Sequence, residues 1–514
     1  MFSSVLSATL TGLDVSAVHV EADVRYGLPQ FTMVGCLNPQ VKEAQDRVRS
    51  AFKNVGLDLP SKKITVNLSP ADLPKSGSRF DLPVALAILS ACGEIPEHSL
   101  CGVMAVGELS LSGKINRISG VLPIAMKAKE VGVSLLIVPS ANEAEARAVS
   151  HLPILALSAI SEAVDYFRDG VLPQRPPVIP PDPALNCYKE DFSDIHGQLS
   201  AKRASVIAVA GFHNLLLVGT PGSGKTMLAR RIPTILPSLT PEEALEISRI
   251  YSIAGLLDDE HPITGVRPFR HPHHTMSPQA LAGGGKIPAP GEVSLAHRGV
   301  LFLDELAEFH TQTLEILRQP LEDREIIISR ASGTYRFPAS FLLLAAMNPC
   351  PCGFFYPSQM TRCSCSPKAI RDYRNRISKP LMDRIDLSVL CPPVSFEDLT
   401  TPNGNGSSSA SIRSQVEAAR EIEMHRFAGT SLHFNSEIPA SRIAEFCKLE
   451  HGAEAALEHA FRSRELSARS YYRVVRVSRT IADLEGSPQI RERHIDEALT
   501  YRPLEESFWE GKER

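Results

Sequence analysis

No apolar run in the chain reaches the roughly 18 residues that a membrane-spanning helix needs. The longest candidates, around 83–92 and 341–347, have the length of core elements. The first residues, MFSSVLSATL, lack the basic segment and the cleavage pattern of a secretory signal. We therefore expect a cytoplasmic protein that does not associate with membranes.

An excess of positive charge is also absent, because 54 Lys and Arg residues face 58 Asp and Glu residues. A nucleic-acid partner would have to be held by a local basic patch or inside a ring. Cysteine is sparse, and four of the ten cysteines lie between 350 and 365. In a long intracellular chain such a cluster is more typical of a metal site than of disulfides.

Two breaks in composition divide the 514 residues into three predicted domains. The proline-rich stretch LPQRPPVIPPDP cannot continue a helix or a central strand, and it predicts a stiff linker over 172–186. The stretch TPNGNGSSSAS predicts a flexible linker over 401–411. The predicted domains are 1–171, 187–400 and 412–514.

The predicted fold class is α/β. In the first domain, strand patterns at 64–73, 103–111 and 134–139 alternate with helix patterns at 80–93 and 121–131. In the second domain, apolar strands separated by helical stretches predict a parallel sheet that is covered on both faces. The third domain is predicted to be mostly helical, with apolar residues three and four apart, as in Val474, Val477, Ile481 and Leu484.

A phosphate-binding loop is predicted at 219–226, where GTPGSGKT fits the pattern G-x-x-x-x-G-K-[ST]. The segment follows a predicted strand and opens a predicted helix, which is the context that the pattern requires. Backbone N–H groups of such a loop surround phosphates, Lys225 reaches the β- and γ-phosphates, and Thr226 binds Mg²⁺. The predicted ATP-binding residues are Gly219, Thr220, Pro221, Gly222, Ser223, Gly224, Lys225 and Thr226.

Two further apolar strands end in candidate catalytic residues. VLFLDE at 300–305 delivers Asp304 and Glu305 to the carboxyl end of a buried strand, where open α/β sheets bind ligands. Asp304 is predicted to hold Mg²⁺, and Glu305 to orient and deprotonate the attacking water. Asn348 ends the next strand and is predicted to position that water, although Asn-Pro also occurs in simple turns.

Arg384, in LMDRIDL, and Arg469, in ELSARSYYRVVRVSRT, are candidate phosphate-binding arginines. An arginine that is offered by a neighbouring subunit would couple hydrolysis to assembly. From spacing alone, a surface salt bridge is an equally good interpretation of each.

Two C-x-C pairs, Cys350 with Cys352 and Cys363 with Cys365, provide four thiolates for a tetrahedral, structural Zn²⁺ site. The usual spacing is C-x-x-C, so reduced free thiols remain the alternative. His271, His273 and His274 also lie close in sequence. Pro272 disrupts helical spacing there and favours a packed or hydrogen-bonded turn over a metal site.

Candidate DNA contacts lie on two predicted projections. GGGKIPAPGE at 283–292 is a glycine-rich loop with one lysine, and REIIISRASGTYRFPA at 324–339 predicts a β-hairpin. Phosphate contacts together with aromatic stacking would suit a DNA backbone. The candidate residues are Lys286, Arg330, Tyr335 and Arg336, with ordinary solvated loops as the alternative.

Over nearly its whole length the chain resembles the magnesium-chelatase-like AAA+ ATPases, specifically the ComM/YifB subgroup. The resemblance rests on GTPGSGKT, FRHPHHTMS, GGGKIPAPGEVSLAHRGVLFLDEL, MNPCPCG, RCSCSP, LMDRIDL and LSARSYYRVVRVSRTIADLEG. It implies an AAA+ core with a helical lid, in which Asn348 is sensor 1, Arg384 the arginine finger and Arg469 sensor 2. The loop near 277–291 and the hairpin at 325–337 would be inserts that line a hexamer pore.

The first domain resembles the proteolytic domain of Lon, on the segments PKSGSRFDLPVALAIL and GELSLSGKINRISGVLPIAMKA. A Lon-type protease needs a serine nucleophile that is activated by a lysine. Those positions fall at Arg79 and Leu122, so the dyad is absent and a scaffold or docking role is expected. Ser76, Ser78 and Lys75 lie near the first position.

The resemblance implies a homohexameric ATPase that uses ATP and Mg²⁺ and drives branch migration of DNA during natural transformation. The expected partners are single-stranded, duplex and branched DNA, further copies of the chain, and recombination proteins. The alternative function is that of a remodelling ATPase of the magnesium-chelatase type. A protease function is opposed by the missing dyad.

Overall fold

The structure is a computed structural model that describes residues 1–57, 59–96, 98–173, 189–257, 262–285, 288–330, 333–356, 361–394, 396 and 408–502. Most of the predicted linker at 172–186 lies outside these residues, and so does Lys286. In the part of the chain that is described, no helix has both the length and the apolar character needed to cross a bilayer.

The N-terminal unit is built on a seven-stranded mixed sheet with the strand order β3-β4-β2-β1-β5-β8-β9. Its strands are β1 Phe2–Thr11, β2 Asp14–Arg25, β3 Gln30–Val34, β4 Lys63–Ser69, β5 Val103–Ala105, β6 Glu108–Leu109, β7 Ile115–Asn116, β8 Leu135–Pro139 and β9 Ile154–Leu157. Its helices are α1 Pro39–Lys42, α2 Ala44–Asn54, α3 Asp81–Cys92, α4 Val121–Val131, α5 Glu143–Arg147 and α6 Ile160–Asp169. The α/β class predicted from the sequence is confirmed.

Helix α3 is the centre of this unit. Its residues from Asp81 to Ala91 are all buried, and it ends at Gly93, whose φ of 87° is the left-handed conformation that glycine adopts without steric cost. The single strand predicted over 103–111 is wrong. Val106 N still donates to Ile137 O of β8 at 3.0 Å, and the backbone then turns away, because Gly107 N donates to Arg79 O at 2.9 Å.

The central unit contains a five-stranded, all-parallel sheet with the order β11-β14-β17-β10-β18. Its strands and those of two small ladders are β10 Leu215–Gly219, β11 Phe269–Arg270, β12 Gly283–Gly284, β13 Ala289–Pro290, β14 Val300–Leu303, β15 Glu325–Arg330, β16 Gly333–Pro338, β17 Leu342–Met347 and β18 Leu387–Cys391. Its helices are α7 Leu199–Gly211, α8 Lys225–Arg231, α9 Pro241–Ala254, α10 Pro278–Ala282, α11 Glu292–Leu295, α12 Thr311–Ile316, α13 Arg318–Asp323, α14 Pro367–Arg374 and α15 Lys379–Met382.

The central strands β10, β14 and β17 are buried along their whole length, as expected for a parallel sheet with helices on both faces. Their register places Val218 beside Met347 and Leu303 beside Ala345. The three strands therefore end at one edge of the sheet, and the residues that follow them face a common site.

The C-terminal unit is helical, as predicted. Its helices are α16 Ser409–Arg426, α17 Ile443–Phe446, α18 His451–Ser463, α19 Ala468–Leu484 and α20 Glu492–Thr500. Residues 401–407 of the predicted flexible linker over 401–411 lie outside the described residues. The last part of that prediction is wrong, because α16 already begins at Ser409. The Ser408 hydroxyl accepts from Ser411 N, so a serine run that looked flexible acts as a helix N-cap.

Helix α9 joins the N-terminal unit to the central unit. Its start is fixed by a capping box between Thr240 and Glu243. Near its end, Ser252 O accepts from Gly120 N at 2.9 Å, and the Ser252 hydroxyl donates to Glu145. Arg249, on the same helix, donates to Leu13 O at 3.3 Å. The two units are thus held together by bonds that are distant in sequence.

Candidate active site

The predicted phosphate loop connects β10 to α8. Gly222 and Gly224 have φ angles of 78° and 86°, which residues with a side chain rarely adopt, so the tight turn depends on glycine. Gly224 precedes the first residue of α8, and the loop therefore ends on a helix N-terminus. Backbone N–H groups and the helix dipole together favour an anion at this place.

Lys225 is folded back into the loop. Its side-chain ammonium donates to Gly219 O at 2.8 Å and to Thr220 O at 2.9 Å, and it lies 3.3 Å from Asn348 Oδ1. The residue is only 8% exposed, and burial lowers the pKa of its ammonium from the usual value. A bound phosphate would offer this cation a full negative charge in place of carbonyl dipoles.

Thr226 and Asp304 form the candidate Mg²⁺ site. The Thr226 hydroxyl donates to Asp304 Oδ2 at 2.7 Å, although the two residues come from different elements. A hydroxyl and a carboxylate are the hard oxygen ligands that Mg²⁺ prefers. The donor set therefore fits the ion that the sequence predicts.

Glu305 lies directly beyond β14 with a φ of 53°, a left-handed conformation that is uncommon for a residue with a side chain. Its backbone N–H donates to Asp304 Oδ1 at 2.9 Å, which fixes the turn. Its carboxylate is about half exposed and lies 3.2 Å from His274 Nδ1. Backbone strain of this kind clusters at functional sites.

The histidine turn at 271–274 is part of this site. Its position there was not predicted from the sequence. The His271 ring packs at a tilt against Phe302 with a centroid distance of 4.7 Å, and burial lowers the pKa of its imidazole. His273 donates to or accepts from the Thr275 hydroxyl at 2.9 Å. The prediction of a packed and hydrogen-bonded turn describes these two residues, but the contact of His274 with Glu305 joins positions 31 apart and leaves no local signal.

A cavity of about 510 Å³ lies over the phosphate loop. Gln198, just before α7, anchors one side by donating to Ser223 O at 2.9 Å and to Pro392 O at 2.6 Å. Phe354 and Arg362 line another side, with the Arg362 guanidinium 4.5 Å from the centre of the Phe354 ring. Its size and the mixture of aromatic, polar and cationic groups suit a nucleotide base and ribose. The sequence reasoning did not single out these three residues.

Arg384 and Arg469 lie together on another face of the molecule. Both line a cavity of about 1040 Å³ between the central unit and the C-terminal helices. Arg384 donates to Pro380 O at 2.7 Å and pairs with Glu322, whereas Arg469 is half exposed and lies 3.7 Å from Asp383. Among the described residues around the phosphate-loop cavity, neither arginine is present.

The two predicted projections meet each other. The hairpin forms as predicted from β15 and β16, and the glycine loop forms the short ladder of β12 and β13. A Cβ atom added at Gly284 would lie 3.3 Å from the Arg330 guanidinium, so the side chain at the end of β15 lies against the ladder. Arg330 is exposed, Arg336 is exposed and pairs with Glu325 at 3.3 Å, and Tyr335 is half-buried against the core.

The four clustered cysteines converge. The Sγ atoms of Cys350, Cys352, Cys363 and Cys365 all lie within 4.8 Å of one another. The segment that carries them follows Asn348 directly and ends at α14.

The two positions predicted for a Lon-type dyad are occupied by Arg79 and Leu122. Leu122 is fully buried, and its N–H donates to Glu145 at 2.9 Å. Arg79 lies in the short 3₁₀ turn before α3. Lys75 donates to Pro70 O, and the Ser78 hydroxyl donates to Glu108, so each has a structural partner.

Three family models of one kind match the chain. Residues 20–142 match the model of subunit ChlI of magnesium chelatase, residues 191–399 match the magnesium chelatase subunit ChlI model, and residues 406–502 match its C-terminal model. Together the matches span all three predicted domains.

Full-length relatives are similar throughout. The chain is 43% identical to competence protein ComM of Haemophilus influenzae over 506 residues, which is 97% of each protein. It is 41% identical to YifB of Escherichia coli over 96% of each protein. The magnesium-chelatase 38 kDa subunit of Cereibacter sphaeroides is 27% identical over 31% of this chain and 52% of that protein.

Proposed function

We propose a function from the premise that this chain belongs to the magnesium-chelatase-like AAA+ ATPases, in the branch of competence protein ComM and YifB. The family uses ATP and Mg²⁺. The proposed function is that of a cytoplasmic homohexamer that moves on DNA at the expense of ATP and promotes branch migration during natural transformation. Full-length similarity to a competence protein is the single observation that carries this proposal.

In the proposed reaction, the phosphate loop binds ATP through its backbone N–H groups and Lys225 moves from its carbonyl partners to the β- and γ-phosphates. Thr226 and Asp304 would hold Mg²⁺, and the ion would offset the negative charge that develops on the transferred group. Glu305 takes a proton from the attacking water, and Asn348 orients that water beside the γ-phosphate.

Each ATP site is proposed to be completed by a neighbouring subunit. Arg384 and Arg469 line a different cavity from the phosphate loop of their own chain, so they are poorly placed to reach their own nucleotide. In a ring with head-to-tail contacts, that face meets the nucleotide site of the next copy. An arginine that is supplied in this way makes hydrolysis depend on assembly.

The DNA contacts are proposed to lie on the adjoining hairpin and ladder. Arg330 and Arg336 are exposed cations that can bind phosphates without reading sequence. Lys286 belongs to the same projection by its place in the chain, and it lies outside the described residues. Tyr335 is proposed to contact DNA only through the exposed part of its ring.

A second candidate function is the remodelling activity of a magnesium-chelatase subunit. It is favoured by the three family models, all of which describe such subunits. Two observations weigh against it: the chelatase subunit covers only 31% of this chain, whereas the competence protein covers 97%.

A labelled three- or four-stranded DNA junction separates the two functions. With ATP, the wild-type protein should convert the junction to exchanged products. The Glu305→Gln variant should bind ATP and assemble, but should lose turnover and strand exchange by at least about 100-fold. As a matched control, Glu308→Gln removes an exposed carboxylate on the adjoining turn and should behave as wild type. ATP hydrolysis that is independent of DNA, without junction conversion, would favour the chelatase-type function.

A further inference from the structure

The four cysteines have the spacing of ligands around a single metal ion. The Sγ atoms of Cys350 and Cys352 are 3.4 Å apart, those of Cys350 and Cys363 are 3.8 Å apart, and those of Cys352 and Cys363 are 3.6 Å apart. A disulfide requires about 2.05 Å, so none of these pairs is bonded. Zn–S bonds of about 2.3 Å at tetrahedral angles place neighbouring sulfur atoms about 3.8 Å apart.

The chemistry of the donor set favours Zn²⁺. Four soft thiolates in a tetrahedral arrangement are typical of zinc or of an iron–sulfur cluster. A maximum separation of 4.8 Å leaves room for one ion between the sulfur atoms, not for a multi-iron core. A closed four-thiolate site has no open position, so its role is structural.

A buried arginine next to the cluster fits the charge of such a site. One Zn²⁺ with four thiolates carries a net charge of −2. Arg374 is only 1% exposed, its Nε donates to Pro349 O at 3.0 Å beside Cys350, and its guanidinium lies 5.1 Å from the centre of the Phe355 ring. A buried cation is favoured where an anionic centre lies close to it.

The described residues around the cysteines, 350–356 and 361–365, also contribute to the wall of the nucleotide cavity. Gly353, between the two cysteine pairs, packs so closely on the phosphate loop that an added side-chain carbon would lie 2.5 Å from Pro221. The next residue, Phe354, lines the cavity, and so does Arg362, which directly precedes Cys363. Among the described residues of this segment, Phe354 and Arg362 line the cavity, and each lies close in sequence to one cysteine pair.

We propose that Cys350, Cys352, Cys363 and Cys365 bind one Zn²⁺, and that this centre holds Phe354 and Arg362 against the nucleotide. The metal holds residues 350–356 and 361–365 together, so Phe354 can stack on the base while Arg362 contacts the ribose or a phosphate. Zinc binding thereby sets nucleotide affinity without taking part in hydrolysis. The proposal rests on the ATP site of the proposed function, but it requires no DNA.

The first test measures metal in the purified full-length protein. Wild type should contain about one equivalent of zinc per chain by elemental analysis. Substitution of Co²⁺ should give thiolate charge-transfer and tetrahedral d–d absorption bands. The double variant Cys363→Ser/Cys365→Ser should lose both, whereas Cys101→Ser, which removes an exposed cysteine of the N-terminal unit, should keep both. The assignment would be overturned if wild type contained no zinc and the four thiols of the cluster reacted freely with a thiol reagent.

The second test measures the affinity for a fluorescent ATP analogue without DNA. The double cysteine variant should bind the analogue about tenfold more weakly, because Phe354 and Arg362 are no longer held against the nucleotide. Arg362→Ala should weaken binding by a similar factor while it keeps its zinc, which separates the contact from a general folding defect. Loss of zinc with unchanged nucleotide affinity would overturn the coupling. A failure of junction conversion in wild type would count against the DNA function alone.

Discussion

The imidazole Nδ1 of His274 lies 3.2 Å from Oε2 of Glu305, the proposed general base. A carboxylate that bonds to a neighbouring imidazole is less available to accept a proton from water. His274 lies shortly before α10 and the β12–β13 ladder, which are proposed to face DNA. A shift of that projection would therefore move the partner of Glu305.

We expect His274→Ala to raise ATP hydrolysis in the absence of DNA several-fold and to reduce the stimulation by DNA, because Glu305 is released. Steady-state ATPase assays with and without single-stranded DNA measure both quantities. The control is His310→Ala, which removes an exposed histidine directly before α12. A fall in basal turnover would instead assign His274 to holding Glu305 in its active position.

Arg384 should act on the nucleotide of the adjacent subunit. Arg384→Ala and Glu305→Gln are each expected to be nearly inactive alone. In an equal mixture that assembles at random, about a quarter of the interfaces combine an intact Glu305 with a neighbour's intact Arg384, and ATPase activity should reappear in proportion. A mixture of Glu305→Gln with Lys225→Ala is the control, because every site then carries one lesion. If both mixtures lacked ATPase activity, the proposal that Arg384 acts on the neighbouring subunit's nucleotide would be contradicted.

Arg330 should contribute a backbone contact to DNA. We expect Arg330→Ala to weaken binding to single-stranded DNA of any sequence and to lower the salt dependence of affinity by about one counterion. Fluorescence anisotropy over a series of salt concentrations measures this slope. Arg318→Ala removes an exposed arginine that pairs with Glu315, and it should leave the slope unchanged. An unaltered slope for Arg330→Ala would place the DNA path elsewhere.

Glu423 should make the stability of the C-terminal helices depend on pH. Burial raises the pKa of this carboxyl from 4.5 to about 8, against the opposing effect of Arg420. The folded state therefore favours the protonated form, and stability that is full below about pH 4.5 is lost as pH rises towards 8. Within that window each pH unit costs up to about 1.4 kcal/mol.

Glu423→Gln keeps the shape of the side chain and removes its titration, so the variant should lose less stability than wild type between pH 5 and 8. Urea unfolding at several pH values measures this difference. Glu445→Gln, an exposed carboxylate that pairs with Arg442, should retain the wild-type slope. Parallel pH profiles for wild type and Glu423→Gln would refute the assignment.

The parts of the site that lie within single strand–loop–helix segments were predictable from sequence. Lys225, Thr226, Asp304 and Glu305 belong to short patterns whose spacing is set by local backbone geometry, and the structure places them at one sheet edge. The α/β class followed in the same way from apolar strands between helices.

Contacts between distant segments were not predictable in this way. Nothing near His274 in the chain indicates Glu305, and the neighbourhood of Arg384 and Arg469 depends on how the C-terminal helices pack on the central unit. Gln198 and Arg362 both line the nucleotide cavity, although they are far apart in the sequence. Such positions are set by tertiary packing. A single sequence does not reveal which distant residues come into contact.

The hydrogen bonds between α9 and the N-terminal unit hold this unit to the central unit independently of the peptide chain that connects them. Gly120 and Glu145 both bind Ser252, and Arg249 binds Leu13 from the same helix. Protease cleavage between residues 173 and 189 should leave two fragments that still elute as one species. The N-terminal unit would then move together with the central unit as one rigid body, even without an intact connecting chain.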